Sequence, residues 1–313
     1  MAGAVIAERV LDELVGELEG SVAEVARNVP IAQLTTYRIG GPAAVLVRVD
    51  DEDQLLALAE HLAPRNIPVL VVGRGSNLLV ADRGFAGVAI ALGEGFEHVV
   101  IDDSTVTAGG AVALPVLARR SAAAGRRGLE FYVGIPGSVG GAVRMNAGGH
   151  GRETAGVLVS ARVVDLAAPR VSEIIPADLA FGYRRSAIRS SAVVTSARFA
   201  VERDAAASCE ERVAEVVRWR REHQPVGANA GSVFTNPPGD AAGRLIDAAG
   251  LRGFRVGGAE VSEKHANFFQ ADPGAPAGDV HELVVEVRRR VAERFGVHLV
   301  PELEMIGFDE DER

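Results

Sequence analysis

Gly134-Ile-Pro-Gly-Ser-Val-Gly-Gly-Ala-Val-Arg-Met-Asn-Ala-Gly-Gly-His-Gly151 contains seven glycines in eighteen residues. Glycine loses the most conformational entropy on ordering, so a packed domain gains nothing from such a run unless its backbone lies against something. A mobile loop is the bland explanation. Ile135, Val139, Val143 and Met145 speak against it, because they would leave apolar side chains on a floppy segment. We read the run as a ligand cradle. Upstream, Gly73-Arg-Gly-Ser-Asn-Leu-Leu79 follows directly on the apolar run 67–72. A tight glycine turn there aims backbone N–H groups at one point, and Ser76 and Asn77 add side-chain hydrogen bonds, which suits a pyrophosphate. The spacing is neither the G-x-G-x-x-G of a Rossmann turn nor a P-loop, since no Gly-Lys-Ser/Thr follows. By itself the heptad reads as an ordinary strand–turn–strand. Two glycine cradles in one region point to a long ligand carrying a diphosphate, such as a dinucleotide.

The flanking elements follow from periodicity. Apolar residues at Val5, Ile6, Val10, Leu11, Leu14 and Val15 predict a helix over 5–18. Arg27-Asn-Val-Pro30 reads as a polar turn. Residues 44–49 read as a strand, Asp51 as the cap of a helix to about Leu62 stopped by Pro64, and 67–72 as a buried strand. Together these make a βαβ unit with a parallel strand pair. The texture then changes to short β-like runs at 88–92, 98–101 and 105–108. A helix opened by Pro115 follows, with Leu114, Leu117 and Ala118 on one side and Gly125 closing it. Short strands return at 156–164 and 192–202. Amphipathic helices are expected over 210–221, carrying Val213, Val216, Val217 and Trp219, and over 279–295, carrying Val280, Leu283, Val284, Val287 and Val291. No internal repeat or low-complexity linker interrupts the chain. The first half reads as a cofactor region and the last third as an α+β module.

A length of 313 residues suggests roughly two or three packed units. Apolar residues at 48% and charged ones at 24% exclude disordered and collagen-like classes. Lys and Arg number 33 against 42 Asp and Glu, and the net charge of −9 disfavours nucleic acid as a partner. The single cysteine, Cys209, excludes an intramolecular disulfide and a cysteine-cluster metal site and fits a reducing compartment. No apolar run reaches the roughly eighteen residues of a membrane span, and Glu8 and Arg9 break any secretory signal. A cytoplasmic address is expected.

Polar residues that could carry chemistry fall in five places. Gly182-Tyr-Arg-Arg-Ser186 offers Arg184, whose fork matches a carboxylate or phosphate. Asn229-Ala-Gly-Ser-Val-Phe-Thr-Asn-Pro237 carries Ser232 without a G-x-S-x-G elbow, so a hydrolase is disfavoured. Leu299-Val-Pro-Glu-Leu-Glu-Met-Ile-Gly307 alternates Glu302 and Glu304 with Leu303 and Met305, a half-buried strand pattern. His265 beside Lys264 can meet an anionic substrate as readily as it can be an ordinary loop residue. The seven histidines show no H-E-x-x-H or clustered ligand spacing, so no metal is expected.

These segments, in this order, resemble the UDP-N-acetylenolpyruvoylglucosamine reductases, bacterial flavoenzymes of peptidoglycan precursor synthesis. The resemblance runs from about Asn28 to Gly307. It rests on Leu34-Thr-Thr-Tyr-Arg-Ile-Gly-Gly41, Gly73-Arg-Gly-Ser-Asn77, the 134–151 run, Gly182-Tyr-Arg184, Ala230-Gly-Ser-Val-Phe234, Val261-Ser-Glu-Lys-His-Ala-Asn-Phe268 and Leu299-Val-Pro-Glu302. It implies an α+β architecture: a vanillyl-alcohol-oxidase-type FAD-binding fold of two α+β subdomains, plus a C-terminal α+β substrate domain. The implied boundaries are 1–93 for the first subdomain, with 299–313 packing back onto it, 94–203 for the second and 204–298 for the substrate domain. The short stretch between Arg184 and Ser232 is similar to the class that lacks an extra tyrosine-bearing loop.

The resemblance further implies non-covalent FAD, NADPH as electron donor, a UDP-sugar substrate, no nucleic-acid or membrane partner, and a monomer. NADPH would reduce FAD, and hydride would pass to the enolpyruvyl methylene carbon of UDP-N-acetylglucosamine enolpyruvate, giving UDP-N-acetylmuramate. Arg184 would stabilise the charge developing on the carboxylate, Glu302 would hydrogen-bond the enolic acid, and Ser232 would protonate the adjacent carbon. Gly73, Arg74, Gly75, Ser76, Asn77, Gly134, Ile135, Gly137, Ser138, Gly140, Gly141, Asn146 and Gly148 would hold the cofactor. Tyr183, Asn236, Arg252 and His265 would meet the substrate. Two positions depart from the family pattern: Thr235 stands where Lys or Arg is common, and Val300 where Glu is usual. Two rival readings are a flavin-dependent oxidase of the same fold and a non-catalytic nucleotide-sugar binder. Covalent flavin attachment, which many such oxidases use, is disfavoured at Cys209, outside the glycine motifs, and left open at His150, inside one.

Overall fold

The computed structural model describes residues 8–308. Val5 and Ile6 of the expected first helix, and residues 309–313, lie outside them. The helix itself, α1 (Glu8–Leu18), buries Leu11, Leu14 and Leu18, the one-sided spacing that an amphipathic helix requires. Next comes β1 (Glu24–Pro30), paired antiparallel with β2 (Pro42–Val49). The polar turn expected at 27–30 is therefore a strand. Asn28 takes a left-handed φ of 55° and forms no pair of its own, while Arg27↔Val45 and Val29↔Ala43 keep one register on either side of it; asparagine tolerates that conformation.

Asp51 caps α2 (Glu52–Leu62), its side chain accepting from the Gln54 N–H at 2.8 Å, as expected of a short polar cap. The crossover leads to β3 (Val69–Val72), then β4 (Leu78–Val80) and β5 (Phe85–Leu92). The expected parallel pair is not direct. The sheet order is β1-β2-β5-β3, and β5 lies between the two strands, parallel to both. Strand alternation divides β2 between two faces. Val45, Val47 and Val49 face α1 and α2, while Leu46 joins Ile31, Val72 and Val80 on the other side.

The second subdomain is an antiparallel sheet of β6 (Val99–Ile101), β7 (Thr105–Gly109), β8 (Leu158–Asp165), β9 (Arg170–Ile174) and β10 (Ala192–Ala200), in the order β9-β8-β10-β7-β6. Three helices complete its core: α3 (Leu114–Ala123), α4 (Val139–Met145) and α5 (Ala206–His223). Pro115 occupies the first turn of α3, where its missing N–H costs nothing. The placement of α5 corrects the domain boundary expected at 203/204. Cys209 and Val213 are buried in the second core, with Val216 and Val217 against it. Arg212 pairs with Glu130 at 2.9 Å and Asp204 at 2.7 Å. The apolar stripe of α5 thus belongs to the second subdomain, and the third domain begins only after it.

That third unit packs α6 (Ala242–Ala248) and α7 (Ala277–Phe295) on a small antiparallel sheet of β11 (Arg255–Val256), β12 (Ala259–Val261) and β13 (Phe269–Ala271). Its core is continuous with the first subdomain, taking in Tyr37, Ile39, Leu79 and Ala81 as well as Leu299 and Leu303. The chain finishes with β14 (Glu304–Ile306), parallel to β4. Residues 304–306 thereby lie against β4 of the first subdomain.

The two subdomains are tied together by Glu52. Its carboxylate accepts from the buried Thr195 hydroxyl at 2.6 Å and from Arg162 Nε at 2.7 Å. Burial pushes the Glu52 carboxyl up, but Arg162 and Thr195 outweigh it and hold the group below its ordinary 4.5. A depressed carboxyl contributes stability above its unfolded pKa and loses it as pH falls. Glu52→Gln should therefore lower stability by about 1–2 kcal/mol at pH 7, and the difference from wild type should close as thermal melts are taken through and below pH 4.5.

Candidate active site

A cleft of about 1350 Å³ opens where the three units meet, lined by Thr35, Thr36, Gly73, Arg74, Gly137, Ser138, Gly140, Gly141 and Arg144, with 270–274 closing it from the third domain. This exceeds the roughly 300–1,000 Å³ of ordinary small-molecule pockets, so a long ligand fits. The two glycine motifs abut at its wall. A side chain at Gly73 would meet Ser138 Oγ at 2.5 Å, and one at Gly137 would come within 3.6 Å of Ser76 Oγ. Gly75 is required on two counts: its φ is +56°, and a Cβ there would lie 2.0 Å from the Leu34 carbonyl. That turn packs on the Leu34–Thr36 backbone, where Gly75 O accepts from Thr36 N–H at 3.3 Å.

Two features fit an anionic dinucleotide. Among the described residues, the N–H groups of Arg74, Gly75, Ser76 and Asn77 donate to no protein oxygen, and Arg74 makes no ion pair. Thr36 Oγ1, on the same wall, is buried without a partner. A buried hydroxyl left unpaired is costly, and a bound polar ligand relieves it. The 134–151 run differs from expectation. Its middle is α4, capped by Ser138, and its leading donors are already used. Val139 N–H goes to Val112 O at 2.9 Å, Gly140 N–H to Gly110 O at 3.0 Å, and Gly141 N–H to Ser138 Oγ at 3.3 Å. Gly140 and Gly141 line the cleft through bare backbone rather than as open donors. Gly134 and Ile135 lie outside the lining: Gly134 O accepts from Arg220 at 2.8 Å, and Ile135 packs on the second core.

Arg184, Glu302 and the Ser232 strand converge at a second point. Arg184 Nε meets Glu302 Oε1 at 2.8 Å, with the two side chains only 23% and 15% exposed. Burial pushes the Glu302 carboxyl above its ordinary 4.5, and the Arg184 guanidinium offsets this only in part. A buried carboxyl disfavours its charge unless paired. The backbone of Glu302 is clamped from both sides. Its N–H donates to Val233 O at 2.8 Å, and its carbonyl accepts from Asn77 Nδ2 at 2.9 Å. Asn77 thus spends its side chain on the C-terminal segment. Ser232 precedes Val233 and bridges Phe268, so the serine strand runs directly beside Pro301 and Glu302.

The remaining expected residues are dispersed. Tyr183 is exposed, its ring 5.0 Å from the Arg184 guanidinium. Asn236 Oδ1 accepts from Ala242 N–H at 3.0 Å, at the start of α6. Arg252 is engaged with Asp247 at 2.7 Å and the Glu263 carbonyl at 2.6 Å. His265 Nδ1 accepts from Asn267 N–H at 3.3 Å. Burial, with Arg252 and His223, holds its pKa below the usual range, so it offers a neutral Nε2–H. Cys209 is buried in the second core. His150 sits edge-on to Trp219 at 4.9 Å. Thr235 and Val300, the two departures, touch: the Thr235 hydroxyl and N–H both donate to Val300 O, at 3.2 and 2.9 Å.

Sequence reasoning missed Asn267. It is 4% exposed, and its amide clasps Phe234 through Oδ1 at 3.0 Å and Nδ2 at 2.8 Å, fixing the serine strand. An amide that both accepts and donates is suited to this, but its signal within 261–268 was only that of a loop polar residue.

Residues 223–306 match the family model described as UDP-N-acetylenolpyruvoylglucosamine reductase, C-terminal domain. Residues 43–172 match one described as FAD binding domain. The UDP-N-acetylenolpyruvoylglucosamine reductase of Nitrobacter hamburgensis is 46% identical over 90% of this chain and 92% of its own. That of Paramagnetospirillum magneticum is 44% identical over 90% and 92%. The solved UDP-N-acetylenolpyruvylglucosamine reductase of Thermus caldophilus is similar at a TM-score of 0.79 and 37% identity, covering 90% of this chain and 99% of that one.

Proposed function

Because the chain belongs to the UDP-N-acetylenolpyruvoylglucosamine reductase family, we propose that Arg184, Glu302 and Ser232 carry its turnover. The enzyme is an FAD-containing oxidoreductase of peptidoglycan precursor synthesis, using NADPH to reduce the enolpyruvyl group of a UDP-sugar. Its fold is the α+β FAD-binding fold of the vanillyl-alcohol-oxidase type with a third domain. The observation that carries the assignment of roles is the Arg184–Glu302 contact at 2.8 Å, beside the serine strand.

Gly73–Asn77 and the 136–141 backbone would hold FAD, with Thr36 as an added partner. FAD held there would supply the hydride chemistry that links NADPH to the substrate methylene carbon. The protein residues handle charge and proton. Arg184 presents its fork to the substrate carboxylate, where negative charge accumulates as the enol ether is reduced. That carboxylate competes with Glu302 for the guanidinium. Glu302, released into a buried setting, favours its protonated form and donates a hydrogen bond to the enolic acid. Ser232 Oγ gives its proton to the adjacent carbon; a hydroxyl is a weak acid, so it serves only a strongly basic centre. Tyr183, Asn236, Arg252 and His265 complete the substrate contacts in this reading. Asn236 and Arg252 must then act through the donors their internal bonds leave free. We take the enzyme as a cytoplasmic monomer; the buried free thiol of Cys209 accords with the reducing compartment of that reading. Among the described residues no helix is long and apolar enough to cross a membrane.

The test is an anaerobic absorbance titration of the purified holoenzyme, first with NADPH and then with UDP-N-acetylglucosamine enolpyruvate. A flavin band that bleaches and then returns with the sugar nucleotide is expected. A band that returns only with oxygen would assign an oxidase, and failure to take up FAD would overturn the reading.

A further inference from the structure

Asn146 was expected among the cofactor contacts, yet it is not part of the cleft wall. It ends α4 in a left-handed conformation, φ 43°, and is 1% exposed. Its amide spans two segments. Nδ2 donates to the Gly182 carbonyl at 3.0 Å, and Oδ1 accepts from Ala155 N–H at 2.9 Å. Gly182 opens the tight turn that presents Arg184: Gly182 and Arg185 exchange backbone hydrogen bonds at 3.1 and 3.2 Å, leaving Tyr183 and Arg184 at the tip. Arg184 itself adopts φ 55°, a conformation that costs an L-residue about 1 kcal/mol or more and persists only where its surroundings hold it.

The same short segment grips the turn at three places. Asn146 holds its base through Gly182. Gly148, two residues on, accepts Arg184 Nη2 at 3.1 Å, and a side chain at Gly148 would crowd Nη1 at 3.2 Å. On the far side, Ser186 Oγ donates to Arg144 O at 2.7 Å. Only the Asn146 contact demands a particular chemistry, a donor and an acceptor on one short side chain in the left-handed region. Asparagine tolerates that region and supplies both.

We propose that Asn146 is a positioning residue for Arg184, fixing the guanidinium where the substrate carboxylate must arrive. This rests on the reductase reading, and the test separates the two. The probes are UDP-N-acetylmuramate, which carries the lactyl carboxylate, and UDP-N-acetylglucosamine, which lacks it, titrated calorimetrically into FAD-loaded enzyme. Asn146→Asp keeps the acceptor for Ala155 but sets an oxygen against the Gly182 carbonyl. It should weaken the carboxylate-bearing ligand by roughly ten- to a hundred-fold, the size of one charge-assisted hydrogen bond, with the other ligand and the flavin content unchanged. Should that variant fail to fold, Asn146→Gly keeps the left-handed backbone, removes both side-chain bonds and carries the same expectation. Equal weakening of both ligands, no weakening, or loss of FAD would overturn the proposal. A wild-type enzyme that binds neither sugar nucleotide would instead overturn the reductase reading.

Discussion

Ser232→Ala should leave reduction of the flavin by NADPH close to wild type while the return of the flavin band with UDP-N-acetylglucosamine enolpyruvate slows by about 10²–10⁴-fold, the range for a positioned proton donor. The substitution removes one oxygen and little else. The strand around it is held by backbone contacts to Phe268 and Asn267 and by the Val233–Glu302 hydrogen bond, none of which uses the serine side chain. Stopped-flow absorbance measures the two half-reactions separately. If both slowed alike, Ser232 would be acting on the fold or on the flavin, and its role as donor would be lost.

Arg184→Ala is expected to slow the same second half-reaction by about 10²–10³-fold, the loss that follows removal of one preorganised charge partner. It should also leave a mark on the pH dependence. Burial raises the Glu302 carboxyl above 4.5 and Arg184 restrains it. In the proposed mechanism the protonated form is the active one, so the wild-type rate should fall as pH rises through that raised value. Without Arg184 the restraint is gone and the falling limb should move to higher pH. In Glu302→Gln the group cannot titrate and the limb should vanish, with a reduced rate that is flat in pH. Single-turnover rates across pH for the three proteins decide it. A limb unmoved in both variants would show that another group controls the profile.

Much of the fold was legible where one residue dictates a local outcome. Asp51 capping α2, Pro115 opening α3 and the apolar spacing of α7 follow from caps and periodicity. What failed was relational. Nothing in 44–72 reveals that β5 will insert between the two strands, because strand order is settled by which faces remain to be covered. Glycine richness disguised α4, whose helix is held by its Ser138 cap and by burial of Val139, Ala142 and Val143 rather than by propensity. The site showed the same division. The motifs offered Arg184, Ser232 and Glu302 as candidates, and the contact of Arg184 with Glu302 depends on a C-terminal return that no spacing encodes. Asn77 and Asn146 lay in glycine motifs and read as ligand contacts, whereas their amides stitch the protein to itself.

The late arrival of β14 has a consequence for how the enzyme comes to life. Asn77 Nδ2 and the Glu302 carbonyl are bonded across 225 residues of chain. Synthesis runs from the N-terminus and folds early segments first, so β4 must wait with its edge open until residues 304–306 have left the ribosome. Contacts of such long range close slowly. The half-finished chain can present its glycine turns, yet it lacks the carboxyl opposite Arg184. The carboxyl that we propose as the acid therefore meets Arg184 only late, once β14 has closed on β4.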